Sequence, residues 1–484
     1  MMDALTIRDL KEVTDMAIAR ATALALAAAA VMGAAAACSG TAQNAAIPVT
    51  PAVSSAPPTS PVSAVTVPNS PVGVQARWLL ATAAHPPISG ADVTAHFDKA
   101  FLAQVTPSQL NAALAGVTSL RLDAITTATP STLVMTVTAD GQSKLTVTMA
   151  VDSTGMISGL LLQPAGSAAA SPPVPATWAG VDRQIRSVAP HVRLLVASVS
   201  GNTCAPIQAI GASTPAPLGS AFKLYVLDAL ARAIAAGTVS WDQQLIITSQ
   251  VKSLPSGKLQ NEPDGTKVSV RQAAADMISV SDNTAADMLI TLLGPAAVEA
   301  AARESGIADP SRDVPFLTTR ELFVLKLDDW PRLASRYLAL AAAGRSALLA
   351  GAVDRVPLAA LSATPWTAPR DIDSLEWFAS PTDICHVYAS LAALAKQQKL
   401  APVASILQIN NGDMNLDPSQ WQSVWFKGGS EPGVLTLNYL ATTRGGKTYL
   451  VSVLTENPAA PLKETQAELT LISAVKGAFK LAAG

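Results

Sequence analysis

A serine followed three residues later by a lysine occurs at Ser220–Lys223, Ser249–Lys252 and Ser473–Lys476 in this 484-residue chain. On a helix, side chains three apart share one face. An amine held there can take a hydroxyl proton, and the positive end of a helix favours the oxyanion that results. Spacing alone selects nothing, since about two such matches arise by chance in a chain this long. Context separates the three. Ser249 lies in a polar loop. Ser473 lies inside a C-terminal amphipathic run, where an exposed serine beside a snorkelling lysine is expected. Ser220 sits where the turn Pro215 to Gly219 gives way to an apolar helical run that stops at Gly237.

Two further short motifs follow. Ser281-Asp282-Asn283 breaks the helical stretch VRQAAADMISV, which restarts at Thr284. Lys427-Gly428-Gly429, with Ser430 next, stands on an alternating run near the C-terminus. Each has a plain structural reading, a helix N-cap for the first and a solvated edge-strand lysine for the second. Their order along the chain, each on a turn or strand able to present it, favours chemistry at Ser220.

Those residues need elements to hold them. Residues 177–484 begin with a helix, WAGVDRQIRSVA, and a hairpin whose strands VRLLVASVS and APIQAIGA meet across Gly201-Asn202. They end with three strand-like runs, WQSVWFKGG, GVLTLNYLATT and KTYLVSVLTE, and a helix over 463–482. The middle is helical. Terminal strands of this kind pair into one antiparallel sheet with a helical subdomain against it, an α+β fold. Residues 72–165 read as a smaller α+β domain. Three helical patterns (VQARWLLATAA, ADVTAHF, PSQLNAALAGV) precede four alternating runs, with Asp140-Gly141 as a hairpin turn. His96 and Asp98 lie at a helix end there and read as surface residues. Residues 39–71 and 166–176, rich in Ser, Pro and Ala, read as linkers.

Only 14% of residues are charged, against about 25% in an average chain, and the net charge is −2. No basic block points to nucleic acid. Four histidines and three cysteines, scattered singly, form no metal-ligand cluster, and no cofactor motif is present. Residues 1–38 read as a leader. Arg20 precedes an Ala/Leu run ending Ala35-Ala36-Ala37-Cys38-Ser39-Gly40, which resembles a bacterial lipobox with Cys38 lipidated. The run is too short to span a membrane, so the expectation is export and a lipid anchor at the outer face of the cytoplasmic membrane. Met16 is an alternative start to Met1. Whether Cys204 and Cys385 pair is left open by spacing alone.

With these motifs in place, residues 177–484 resemble the penicillin-recognising serine hydrolases, the class A β-lactamases and penicillin-binding proteins. The small first domain resembles nuclear-transport-factor-2-like and ketosteroid-isomerase-like folds. The pairing of the two resembles actinobacterial β-lactamase-like lipoproteins. The resemblance implies roles. Ser220 would be acylated, Lys223 would accept its proton, and Ser281 would relay a proton to the leaving group. Asn283 would bind the substrate amide, and Lys427 would supply positive charge. The N–H groups of Ser220 and Ser430, next to Gly429, would form the oxyanion hole.

The chain also departs from that pattern. Gly428 lacks the hydroxyl usual at its place. Phe316 to Glu321 resembles the Thr-Thr segment after the omega-shaped loop, yet no Glu-x-x-x-Asn precedes it. Glu304, Asp309, Asp313 and Glu321 are the carboxylates nearest in sequence, and an insertion at 345–380 carries Glu376-Trp377-Phe378. Two functions follow as expectations. One is an exported hydrolase with weak lactamase, esterase or D,D-peptidase activity toward β-lactam, ester or peptidoglycan-like amide substrates. The other is an envelope lipoprotein that binds penicillin or cell wall without turnover.

Overall fold

The computed structural model describes residues 65–484 apart from short interruptions, the longest at 165–171 and 362–365. The leader with Cys38 and linker residues 39–64 and 166–171 lie outside the described residues. The chain divides into two compact units, Met1–Ala168 and Ala169–Gly484.

In the first unit, α1 (Pro71–Thr82), α2 (Gly90–His96) and α3 (Pro107–Leu114) precede four strands. Ser70 and Ser89 cap α1 and α2 by accepting N–H bonds from Gly73 and Asp92. The strands β1 (Leu120–Ala128), β2 (Thr132–Ala139), β3 (Ser143–Val151) and β4 (Ile157–Pro164) form an antiparallel meander in that order. Alternation turns Leu133, Met135 and Val137 of β2 and Val147 and Met149 of β3 onto one face. They are buried there with Val72, Ala76 and Leu79 of α1. His96 stacks on Trp78, with ring centroids 4.0 Å apart, and its Nδ1 lies 2.8 Å from Gln75 Oε1. Asp98 accepts the Phe101 N–H at 2.6 Å. Both polar residues hold local structure.

The second unit opens with α4 (Trp178–Arg186), β5 (His191–Ser200), β6 (Thr203–Ile210) and the short β7 (Ala216–Pro217). A tight 3-10 turn, Gly219–Phe222, runs into α5 (Lys223–Ala236). Then come β8 (Gln244–Ile246), β9 (Lys267–Ser269), α6 (Val270–Ser279), α7 (Asn283–Leu293), α8 (Pro295–Ser305) and α9 (Thr319–Leu327). After α10 (Arg332–Leu338) and α11 (Ala342–Gly351) follow β10 (Phe378–Ala379), α12 (Pro381–Leu394) and α13 (Pro402–Gln408). The chain closes with β11 (Trp421–Glu431), β12 (Val434–Thr443), β13 (Thr448–Glu456) and α14 (Glu464–Ala483).

The sheet order is β11-β12-β13-β5-β6, so the first hairpin of the unit lies beside its last strand, as the terminal runs predict. β12 and β13 are buried along nearly their whole length, because both faces of the sheet are covered. On one face α4 and α14 bring Val181, Leu471 and Phe479 against Leu437, Tyr439 and Val451. On the other, α5 and α12 bring Leu224, Leu227 and Leu391 against Leu195, Leu440 and Leu450. α5 is apolar nearly all round because it runs through the middle of that core. Truncating Leu227 to Ala there costs about 2–5 kcal/mol.

One expectation is corrected here. Ser473 is not an exposed helix residue; it is 3% exposed and donates to Pro172 O at 2.7 Å. The chain before α4 lies across that side of α14, with Pro175 against Gly477, so the serine meets backbone instead of water. Cys204 on β6 and Cys385 on α12 form a disulfide, their Cα atoms 6.3 Å apart. Among the described residues no single helix is long and apolar enough to cross a membrane.

Candidate active site

The turn carrying Ser220 is gripped from two sides. Upstream, β7 pairs with β10, and the Leu218 N–H donates to Trp377 O at 2.9 Å. Downstream, Phe222 stacks on Trp377 with ring centroids 3.7 Å apart. The turn also touches β11 backbone to backbone. A Cβ on Gly219, whose φ is +49°, would sit 2.9 Å from Ser430 N. A Cβ on Gly429 would sit 2.2 Å from Leu218 O and 2.5 Å from Ser220 N. Only glycines permit this approach, and it brings the backbone nitrogens of Ser220 and Ser430 to one place.

Lys223, on the first turn of α5, is fully buried. Its Nζ lies 2.6 Å from Ser281 O, 2.6 Å from Asn283 Oδ1, and 3.1 Å from both Ser220 Oγ and Ser281 Oγ. Burial first, and the Lys427 cation second, hold this amine well below the ordinary lysine range. The neutral amine has two protons and one lone pair. The carbonyl oxygens of Ser281 and Asn283 accept those two protons and can donate nothing back. The lone pair is then left for the hydroxyls, where it can take a proton from Ser220 Oγ. The Asn283 amide is itself oriented by its donation to Leu254 O at 3.1 Å.

Ser281 sits in the gap between α6 and α7 with φ +58°, an uncommon conformation for a residue bearing Cβ. Asp282 fixes that gap. Its Oδ1 accepts the Ala285 N–H at 2.9 Å, capping α7, and its Oδ2 accepts from Lys258 N (2.7 Å) and Leu259 N (2.9 Å). The N-cap reading and the presentation of Ser281 are one device: the aspartate caps, and the serine beside it is turned inward. Across the gap, Lys427 of β11 donates to Ser281 Oγ at 3.1 Å and to Gly428 O at 2.7 Å. Burial pulls its amine down to about 7.

These groups open onto a cleft of about 600 Å³ lined by Ser220, Ser281, Asn283, Lys427, Gly429 and Ser430. Lys223 lies beneath its floor. The carboxylates nearest in sequence to the missing loop do not line it. Glu304 pairs with Arg232, Asp309 accepts from Ser311 N, Asp313 from Phe378 N, and Glu321 closes a capping box with Thr318. Thr318-Thr319 starts α9, with Thr319 N–H and hydroxyl donating to Asp287 at 2.7 and 2.9 Å. The strand beside the Ser220 segment is instead Phe378–Ala379, from the insertion.

That insertion puts Glu376 and Trp377 in the cleft wall. Lys326 Nζ, fully buried, lies 2.9 Å from Glu376 and 2.7 Å from Glu431. Sequence reasoning passed over Lys326 and Glu431. Alternation on β11, which puts Glu431 on the face of Lys427 and Gly429, is a signal that points to the second; Lys326 has no local signal.

A doubly covered antiparallel sheet built from the ends of its chain, with a serine-lysine turn against one outer strand, defines the serine β-lactamase and penicillin-binding type of fold. The chain belongs to the beta-lactamase enzyme family, which it matches over residues 191–476. Residues 67–157 match the N-terminal region of the ORF 12 gene product. No curated protein matches the chain. Among solved structures it is similar to a beta-lactamase from Sphaerobacter thermophilus DSM 20745, at 20% identity over 64% of this chain and 98% of that one, TM-score 0.45. It is also similar to a beta-lactamase from Chitinophaga pinensis DSM 2588, at 18% identity over 63% and 98%, TM-score 0.43. A third is PBP-A, at 15% identity over 64% and 99%, TM-score 0.42.

Proposed function

We propose that the second unit is a serine hydrolase that works through an acyl-enzyme at Ser220. The observation that carries this is the Lys223 amine, held well below the ordinary lysine range by burial, 3.1 Å from Ser220 Oγ and 2.6 Å from the carbonyl oxygens of Ser281 and Asn283. Lys223 takes the hydroxyl proton as Oγ attacks the substrate carbonyl. The Ser220 and Ser430 N–H groups receive the oxyanion. Ser281, between the two lysines, passes a proton to the leaving nitrogen or oxygen. Asn283 and Gly429 line the substrate amide, and Lys427 with the Ser430 hydroxyl attracts a substrate carboxylate in place of the hydroxyl absent at Gly428. Substrates are β-lactams, esters or peptidoglycan-like amides, with weak β-lactam turnover.

The same proposal places the protein outside the cytoplasmic membrane, tethered by lipid on Cys38. The Cys204–Cys385 disulfide supports an oxidising compartment. It also reads residues 72–165 as a nuclear-transport-factor-2-like domain, supported by three helices followed by a four-stranded antiparallel meander.

The test is to incubate the full chain with a chromogenic cephalosporin and with simple thioesters while following intact mass. Turnover that disappears in Ser220→Ala supports the hydrolase. A lasting Ser220 adduct without turnover supports a non-hydrolytic penicillin-binding protein. Neither adduct nor turnover with any donor removes the catalytic reading.

A further inference from the structure

The cleft holds a carboxyl pair that the acylation steps leave unused. Glu376 and Glu431 both line it, and the buried Lys326 ammonium joins them at 2.9 and 2.7 Å. Their position relative to Ser220 follows from the backbone. Side chains of Lys427, Gly429 and Glu431 share one face of β11. The missing Cβ of Gly429 points at Ser220 N, 2.5 Å away, so that face is the one turned to the nucleophile. Lys427 flanks the contact on one side and Glu431 on the other, two residues or about 6.6 Å along the strand. Glu376 reaches the same side from the opposite wall, since the next residue, Trp377, accepts the Leu218 N–H two residues before Ser220.

Two carboxyls share one cation here. Burial first, and the neighbouring Glu376 second, push the Glu431 carboxyl well above the usual range, and Lys326 Nζ engages both of its oxygens, at 2.7 and 2.8 Å. Of Glu376, Lys326 engages Oε1 at 2.9 Å, and Oε2 lies outside that contact, 3.4 Å from Trp377 N. Trp366 stands over Lys326 at 4.9 Å, and its buried indole N–H has no partner among the described residues, which leaves a donor in the same wall for water.

We propose that Glu376 is the base that activates water to release the acyl group from Ser220, with Lys326 and Glu431 as positioning residues. This rests on the acyl-enzyme reading above. A water O–H bond breaks, its proton goes to the Glu376 carboxylate, and its oxygen bonds the acyl carbon. The tetrahedral intermediate collapses with cleavage of the bond to Ser220 Oγ. The proton returns from Glu376 to Oγ, and the free acid leaves. No other reactant is needed.

The experiment measures acylation and release separately, by stopped-flow and intact mass, on the full chain with a thioester and a cephalosporin. Glu376→Gln is expected to acylate within about threefold of wild type and to release at least about 100-fold more slowly, so the Ser220 adduct accumulates. Glu431→Gln leaves Lys326 with the same number of carboxylates but is expected to release within about tenfold of wild type. A merely structural ion cluster makes the two variants alike, and that result overturns the proposal. So does unchanged release in Glu376→Gln, or a wild type that acylates and never releases. If Glu376→Gln does not fold, Glu376→Asp replaces it. Slower release at unchanged acylation supports the assignment, and no such split overturns it. Absence of both adduct and turnover in wild type instead overturns the acyl-enzyme reading itself.

Discussion

Lys223 Nζ and Asn283 Oδ1 stand 2.6 Å apart in the interior, joining the start of α5 to the start of α7. This bond engages one proton of the amine and, with Ser281 O, leaves the lone pair to the Ser220 and Ser281 hydroxyls. A buried lysine is costly as an ammonium. The contact works because its partners are carbonyl oxygens, which accept equally well from the neutral amine.

Acylation should therefore rise with pH along a limb that reports deprotonation of Lys223. Lys427 is the second influence holding that amine down, after burial. Lys427→Gln removes the charge, so the Lys223 pKa rises and the limb moves to higher pH, whatever happens to the plateau. Stopped-flow acylation from pH 5 to 9 reads this directly. A limb that stays in place or moves downward contradicts the assignment.

Lys427 costs stability for the sake of the site. Its amine titrates at about 7 when folded and at about 10.4 when unfolded. Below the folded value both states carry the proton and the burial penalty is complete; it fades as pH rises toward the unfolded value. Lys427→Met should raise the melting temperature on the order of 2–4 °C at pH 6 and much less at pH 10. Calorimetry at the two pH values checks this, and an equal gain at both would show that burial of the charge is not the cause.

Gly429→Ala tests the contact between β11 and the nucleophile turn. Its Cβ would lie 2.2 Å from Leu218 O, so backbone must shift at the point where Ser220 N is presented. Acylation should fall about 100-fold or more, since displacements near 1 Å have that effect. Rate constants close to wild type would mean that the turn is not held from this side.

The disulfide should affect stability alone. Cys204 and Cys385 close a separation of 181 residues, and neither lines the cleft. Replacing both by Ala should cost about 2–5 kcal/mol in chemical denaturation. Acylation of the folded variant should stay within about twofold of wild type, because energetic effects of distant groups are nearly independent.

Much of this protein is legible in local pattern. The strand-like runs of β12 and β13, the helix stop at Gly237 and the hairpin at Gly201-Asn202 depend on near neighbours, and each stands where the pattern puts it. So does the break at Ser281-Asp282-Asn283, because Asp282 caps α7 with its own side chain. What those patterns left undecided are relations between distant segments. Ser473 reads as a surface residue until the strand of chain before α4 is laid over it. Cys204 and Cys385 are two isolated thiols until β6 and α12 become neighbours. Phe316–Glu321 resembles the Thr-Thr segment, but the strand paired with the one before Ser220 is Phe378–Ala379 from the insertion, and Thr319 is held by Asp287. Above all, Glu376 and Glu431 lie 50 and 105 residues from Lys326 along the chain, and only folding makes the three a cluster. A charge's environment is set by what packs around it in three dimensions, and neighbouring sequence carries no record of that.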